Sequence, residues 1–186
     1  MNETVFIYVT ETETGLPHVK MHEAAFLLLK TALEERFGIL FDQDMLETGA
    51  KGKPYLKSML GDAQVFFSIS HCKGAVAVAL TRAGEVGVDI ETDRKVSDGV
   101  IKKSMTEKEQ EILADVYADR EAFTEMFLTF WTRKEAYYKM TGEGLSKKMK
   151  DLDVSNPDIE RMMTKKTGSG LIVSCSCAMD VDFELC

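Results

Sequence analysis

The sequence is poor in proline, histidine and positive charge, and it has no long apolar run. Three prolines, three histidines and one tryptophan occur in 186 residues. With only His18, His22 and His71 available, a multi-histidine zinc site is not expected. No stretch approaches the ~20 apolar residues of a membrane span. Met1-Asn2-Glu3-Thr4 lacks the basic and apolar regions of a signal peptide, so a cytoplasmic location is the default expectation. The four cysteines, Cys72, Cys175, Cys177 and Cys186, form no C-x-x-C pair and read as free, buried thiols in a reducing compartment. Bases are outnumbered 23 to 31, leaving a net charge of −8 and a pI near 5.0. That balance argues against a non-specific nucleic-acid binder or a polybasic membrane-surface protein. A polyanionic ligand would need a local basic cluster or a bound cation.

What the chain does have is a core. At 45% apolar residues it can bury one domain, or two small halves, without disulfides or a structural metal. No repeat, linker or low-complexity tract divides it. Val5–Val9 reads as a strand, and Phe26, Leu29, Leu33 and Phe37 recur at helical steps over 21–37, with Gly38 at the stop. Residues 42–62 read mostly as loop. Strands are expected at 64–70, 75–80 (buried on both faces) and 86–91. Thr106 and Glu109 have the spacing of a capping box, a long helix spans about 121–140, and closing strands are expected at 152–154 and 171–177.

Three constellations carry chemical potential. In Val86-Gly87-Val88-Asp89-Ile90-Glu91, strand alternation puts Gly87, Asp89 and Glu91 on one face. Two carboxylates two residues apart can converge on a hard cation such as Mg²⁺, with Gly87 leaving space; a solvated edge-strand face is the plainer reading. On the long helix, Lys134 falls inside the apolar stripe of Phe123, Phe127, Phe130, Trp131 and Tyr138. It needs an anionic partner or must snorkel. Glu135 and Lys139 stand at i and i+4, which also suits a surface ion pair. Finally, Ser68, Ser70 and His71 end a strand before a turn, where they can bind a phosphate or merely cap the turn. No Gly-x-Ser-x-Gly elbow accompanies them.

Four motifs in order resemble the 4′-phosphopantetheinyl transferases, in the longer type that activates peptide and polyketide synthases. They are Gly52-Lys53-Pro54, Phe67-Ser68-Ile69-Ser70-His71, Gly87-Val88-Asp89-Ile90-Glu91, and Trp131-Thr132-Arg133-Lys134-Glu135-Ala136-Tyr137-Tyr138-Lys139, with Gly142-Glu143-Gly144-Leu145-Ser146 following. The likeness runs from about residue 50 to 155. It implies an α+β fold of two similar halves, 1–84 and 85–186, related by a pseudo-twofold, with coenzyme A bound at their interface. It implies Asp89, Glu91 and Glu135 as Mg²⁺ carboxylates, Lys53, Ser70 and His71 on coenzyme A phosphates, and Lys139 near the pyrophosphate. Glu135 becomes the candidate base, and His71 holds a phosphate rather than serving as one.

The implied reaction moves phosphopantetheine from coenzyme A to a serine of an acyl or peptidyl carrier protein and releases 3′,5′-ADP. The implied enzyme is a cytoplasmic monomer with no nucleic-acid or membrane partner. Lys73 and Lys134 would complete a basic cradle with Lys53 and Lys139, and Lys147, Lys148 and Lys150 are the nearest basic residues for a carrier. The chain departs from the family pattern in its first 50 residues, where Lys20, Lys30 and Arg36 are the only bases and Glu23, not arginine, follows His22. A non-catalytic coenzyme A or carrier-binding module of the same fold is the alternative. A Mg²⁺ nuclease, whose sites Asp-x-Glu with a lysine resembles, is disfavoured by the acidity and by the lack of Glu-x-Lys on a strand.

Overall fold

The computed structural model describes residues 3–49, 52–57, 64–144, 149–156 and 161–186. Four strands, β1 (Glu3–Glu11), β4 (Phe66–Cys72), β5 (Ala75–Thr81) and β9 (Val181–Leu185), form a sheet of order β4-β5-β1-β9. β9 runs parallel to β1, and the other pairings are antiparallel. A second, antiparallel sheet has the order β6-β8-β7, from β6 (Val86–Glu91), β7 (Met162–Lys166) and β8 (Ile172–Cys177). A small hairpin pairs β2 (Leu46–Thr48) with β3 (Pro54–Leu56). The helices are α1 (His18–Phe37), α2 (Asp98–Ser104), α3 (Glu107–Asp115) and α4 (Arg120–Thr141).

Alternation along the strands sets the layers. Val5 and Ile7 of β1, Ala75, Ala77 and Ala79 of β5, Val86, Val88 and Ile90 of β6, and Val173, Cys175 and Cys177 of β8 share one buried cluster between the sheets. The opposite face of the first sheet, with Tyr8, Val78 and Leu80, packs on Leu29, Ala32 and Leu33 of α1. Ile172 of β8 packs on Phe127, Leu128 and Phe130 of α4. The order is helix, sheet, sheet, helix. This is the expected α+β architecture, each long helix covering its own sheet. β5 is buried along its whole length, as its apolar run implies.

Helix ends follow local chemistry. Gly38 closes α1 in the left-handed conformation, its N–H reaching Glu34 O while Ile39 N–H reaches Leu33 O. Asp119 caps α4 by accepting from the N–H groups of Glu121 and Ala122. At α3, Thr106 and Glu109 form the expected capping box. Glu109 does more than cap. Its Oε2 also lies 2.6 Å from Lys134 Nζ, and its Oε1 accepts from Val154 N–H at 2.9 Å. Lys134 donates to Met149 O at 2.8 Å and Leu152 O at 2.7 Å. Both side chains are fully buried. The lysine inside the apolar stripe thus has its anion, and its placement in a coenzyme A cradle is corrected: it faces α3 and the 149–154 loop. Burial pulls the Lys134 ammonium below its ordinary range, and the Glu109 pair opposes that shift.

Other sequence expectations are not met. Leu152–Val154 is not a strand; it is an irregular segment held by Glu109 and Lys134, with Val154 buried. β7 and β9 were not anticipated, because charged residues interrupt their short patterns, and the 42–62 loop contains the β2–β3 hairpin. Cys186 is exposed, whereas Cys175 and Cys177 are buried and free. No helix among the described residues is long and apolar enough to cross a membrane.

Gly87 determines how close α4 can come. A Cβ there would lie 2.0 Å from Ala136 O and 2.4 Å from Met140 N. The space expected beside the carboxylates is filled by helix backbone.

Two outcomes follow from this packing. Gly87→Ala forces α4 off β6 and lowers stability in urea denaturation by at least about 1–3 kcal/mol. Lys134→Met and Glu109→Gln each destabilise by about 3–5 kcal/mol, and the double variant costs less than their sum. An additive cycle would show that the pair is not coupled.

Candidate active site at the seam of the two sheets

β4 and β6 are edge strands of different sheets, and they meet along a polar seam. Val88 N–H donates to Ser68 Oγ at 3.1 Å, and Ser70 Oγ donates to Asp89 Oδ1 at 2.7 Å. Side-chain hydroxyls therefore do what a ladder bond would do elsewhere. Lys139, near the end of α4, donates to Ser70 Oγ at 2.8 Å and to Asp89 Oδ1 at 2.7 Å. Strand, strand and helix converge on one carboxylate oxygen.

The other oxygen has no partner. Asp89 Oδ2 is buried without a hydrogen bond among the described residues, and the residue is only 5% exposed. An orphaned buried carboxylate oxygen costs on the order of 1–3 kcal/mol or more unless a cation or water reaches it. Glu91 and Glu135 line the same cleft as Asp89, Ser70, His71 and Lys139. Burial, then repulsion from Asp89, raises the Glu135 carboxyl to about 7, with Lys139 opposing. Burial also raises Glu91, against the pull of Arg94 at 3.4 Å. This is a desolvated, oxygen-only donor set with excess negative charge, and it fits a hard divalent cation. The three carboxylates are not drawn into a closed ligand set: Lys139 holds Asp89, and Arg94 holds Glu91.

Other expected residues fall as follows. Lys53 sits beside Phe67, Ser68, Glu135, Tyr138 and Lys139 in a neighbouring cleft that also takes Gly142 and Gly144. Its ammonium ties Glu85 Oε2 at 2.5 Å to Val86 O and Met140 O, bracing β6 against the end of α4. The expected Glu135–Lys139 helix pair does not form, because Lys139 reaches across to Asp89. His71 lines the carboxylate cleft, and its imidazole is held below its ordinary range by burial and by His22 and His18. Lys73 is exposed in the β4–β5 turn, and Lys150 is exposed. Lys147 and Lys148 lie outside the described residues. Arg36 is engaged with Tyr8, Glu184 and Cys186.

Sequence reasoning missed Arg94, which lies 4.4 Å over the Trp131 ring while pairing with Glu91. It also missed that His18 and His22 join His71, with one ligand nitrogen from each lying within 4.8 Å of the others. The i, i+4 spacing of His18 and His22 was the available signal.

The raised Glu135 pKa gives a pH dependence with a definite sign. A carboxyl at about 7 when folded, against an ordinary 4.5, favours the folded state fully below about pH 4.5. That contribution is lost as pH rises through 7. In metal-free protein, Glu135→Gln should therefore match wild type near pH 4.5 and exceed it above pH 7 by up to about 3 kcal/mol. Equal stabilities at pH 8 would contradict the assigned desolvation.

The family model described as the 4′-phosphopantetheinyl transferase superfamily matches residues 85–175, from before β6 into β8. The 4′-phosphopantetheinyl transferase HetI of Nostoc sp. is 27% identical over 132 residues, covering 70% of this chain and 55% of the relative. The L-aminoadipate-semialdehyde dehydrogenase-phosphopantetheinyl transferase of Mus musculus is 30% identical over 157 residues, 80% of this chain and 48% of the relative. The 4′-phosphopantetheinyl transferase Sfp of Bacillus subtilis is 27% identical over 121 residues, 64% and 51% respectively. The chain spans about half the length of the curated relatives it matches. The family match encloses Asp89, Glu91, Glu135 and Lys139, the residues that the fold brings to one seam, and the chain belongs to the 4′-phosphopantetheinyl transferase superfamily.

Proposed function

We propose that this chain transfers the 4′-phosphopantetheine group from coenzyme A to a serine hydroxyl of an acyl or peptidyl carrier protein, with Mg²⁺, releasing 3′,5′-ADP. The observation that carries the reading is the orphaned Asp89 Oδ2, placed in one cleft with Glu91, Glu135 and Lys139. The names of the relatives support the same activity. Mg²⁺, held by Asp89, Glu91 and Glu135, would supply positive charge to the pyrophosphate oxygens.

The residues of the chain have separable tasks. Glu135, whose carboxyl burial raises to about 7 in the metal-free chain, accepts the proton of the serine hydroxyl. The serine oxygen bonds to the β-phosphorus, the bond from that phosphorus to the bridging oxygen breaks, and its electron pair leaves with 3′,5′-ADP. Lys139 donates to the charge gathering on the departing phosphates, and the burial around it strengthens that interaction. Lys53, Ser70 and His71 hold coenzyme A phosphates at the two clefts that share Glu135 and Lys139. The half boundary at 84/85 belongs to this proposal, with β9 crossing back to complete the first sheet. So do a monomeric state, a cytoplasmic location and the absence of nucleic-acid and membrane partners.

The test is a carrier mass measurement. With coenzyme A, Mg²⁺ and an apo carrier, the carrier should gain one phosphopantetheine. Asp89→Ala should abolish the gain, and Glu135→Gln should slow it by about 10²–10⁴-fold. No gain across several carriers would reject transfer. If coenzyme A were still retained, the non-catalytic binding module would stand instead.

A further inference from the structure

The three histidines of the chain are far apart in sequence in two groups, and the fold gathers all of them at one point. His18 and His22 lie one turn apart on the first two turns of α1, so their imidazoles leave the same face of the helix. His71 is the penultimate residue of β4, and its ring lies beside theirs. The ring centroids are 4.4 Å apart for His18–His22, 5.4 Å for His18–His71 and 5.7 Å for His22–His71. One nitrogen from each ring lies within 4.8 Å of the other two. Among the described residues, no hydrogen bond to protein reaches any of these rings, so their donor atoms are not committed elsewhere.

We propose that His18, His22 and His71 form a binding site for a first-row transition-metal ion of the zinc class. A zinc ion with bonds of about 2.0–2.1 Å needs its nitrogens about 3.3 Å apart, so closing the set takes shifts on the order of 1 Å. His18 and His22 are exposed and can make those shifts by rotamer adjustment. Three imidazoles leave a fourth, open position for water or an anionic ligand. Cys72 is not that fourth ligand: strand alternation turns it to the opposite face of β4, where it packs against the core between the sheets. Glu23, the nearest acid on α1, is held by Lys20 at 2.7 Å.

Donor chemistry separates this site from the carboxylate cleft that it borders through His71. Imidazole nitrogen selects zinc, copper, nickel and cobalt, whereas the carboxylate oxygens suit Mg²⁺. Saturating Mg²⁺ therefore fills one site and leaves the other. The inference stands without the transferase reading, because it concerns metal binding alone.

The test uses the tag-free full chain in saturating Mg²⁺, titrated with Zn²⁺ while the imidazole resonances are followed by NMR. With three histidines in the sequence, every imidazole can be assigned. All three should shift together and saturate at one Zn²⁺ per chain. Binding to the carboxylates would perturb His71 alone, with His18 and His22 unmoved, and would overturn the proposal. Co²⁺ should give visible absorption without a thiolate charge-transfer band; such a band would place a cysteine in the set and overturn it as written. His22→Ala, at an exposed helical position, should keep the fold by circular dichroism and weaken Zn²⁺ binding by at least about 10-fold. Unchanged affinity in that variant would also overturn the site.

Discussion

The contact between the backbone of α4 and the backbone of β6 is the constraint on which the site depends. It exists because residue 87 has no side chain. With helix and strand that close, Asp89 and Glu91 on one element share a cleft with Glu135 and Lys139 on the other, and Lys139 reaches Asp89 directly at 2.7 Å. The same approach buries the carboxylates, raises Glu91 and Glu135, and leaves Asp89 Oδ2 without a partner. Charge is concentrated here by backbone proximity, and the concentration creates the demand for a cation.

A second constraint holds α4 in place from its other side. Lys134 and Glu109 form a buried ion pair whose charged atoms are also hydrogen-bonded to backbone groups of Thr106 and of the 149–154 loop. Such a pair contributes little net stability compared with a well-packed apolar substitute, but it tolerates few alternative arrangements. Lys134 and Glu135 are consecutive and buried, and they point to different ends of the problem. One fixes the helix against α3; the other faces the seam.

Much of this was legible in the sequence because the elements are long and strongly patterned. β5, β6, α1 and α4 follow from apolar periodicity, and the capping box at Thr106 follows from spacing alone. The demand of Lys134 for an anion was also legible, but Glu109 as that anion was not, since pairing across 25 residues depends on how α3 packs. The meeting of β6 with α4 came only from the resemblance to a family. β9 was missed because Val181, Phe183 and Leu185 alternate with acids over too short a run, and its place beside β1 is a long-range pairing. The histidine cluster was missed for the same reason: His18 and His22 lie one turn apart on a helix, while His71 belongs to a strand that only the fold brings near.

The acidic balance of the chain now has a local meaning. Three of its acids line the seam, and the bases expected to form one cradle are divided among tasks: Lys53 braces β6, Lys134 is buried, and Lys139 holds Asp89. The most direct test of the account is anomalous diffraction from crystals grown with Mn²⁺ and coenzyme A. The account predicts an anomalous peak within bonding distance of Asp89, with Glu91 and Glu135 in the same coordination sphere. A peak elsewhere, or an Asp89 still bound only by Ser70 and Lys139, would contradict it.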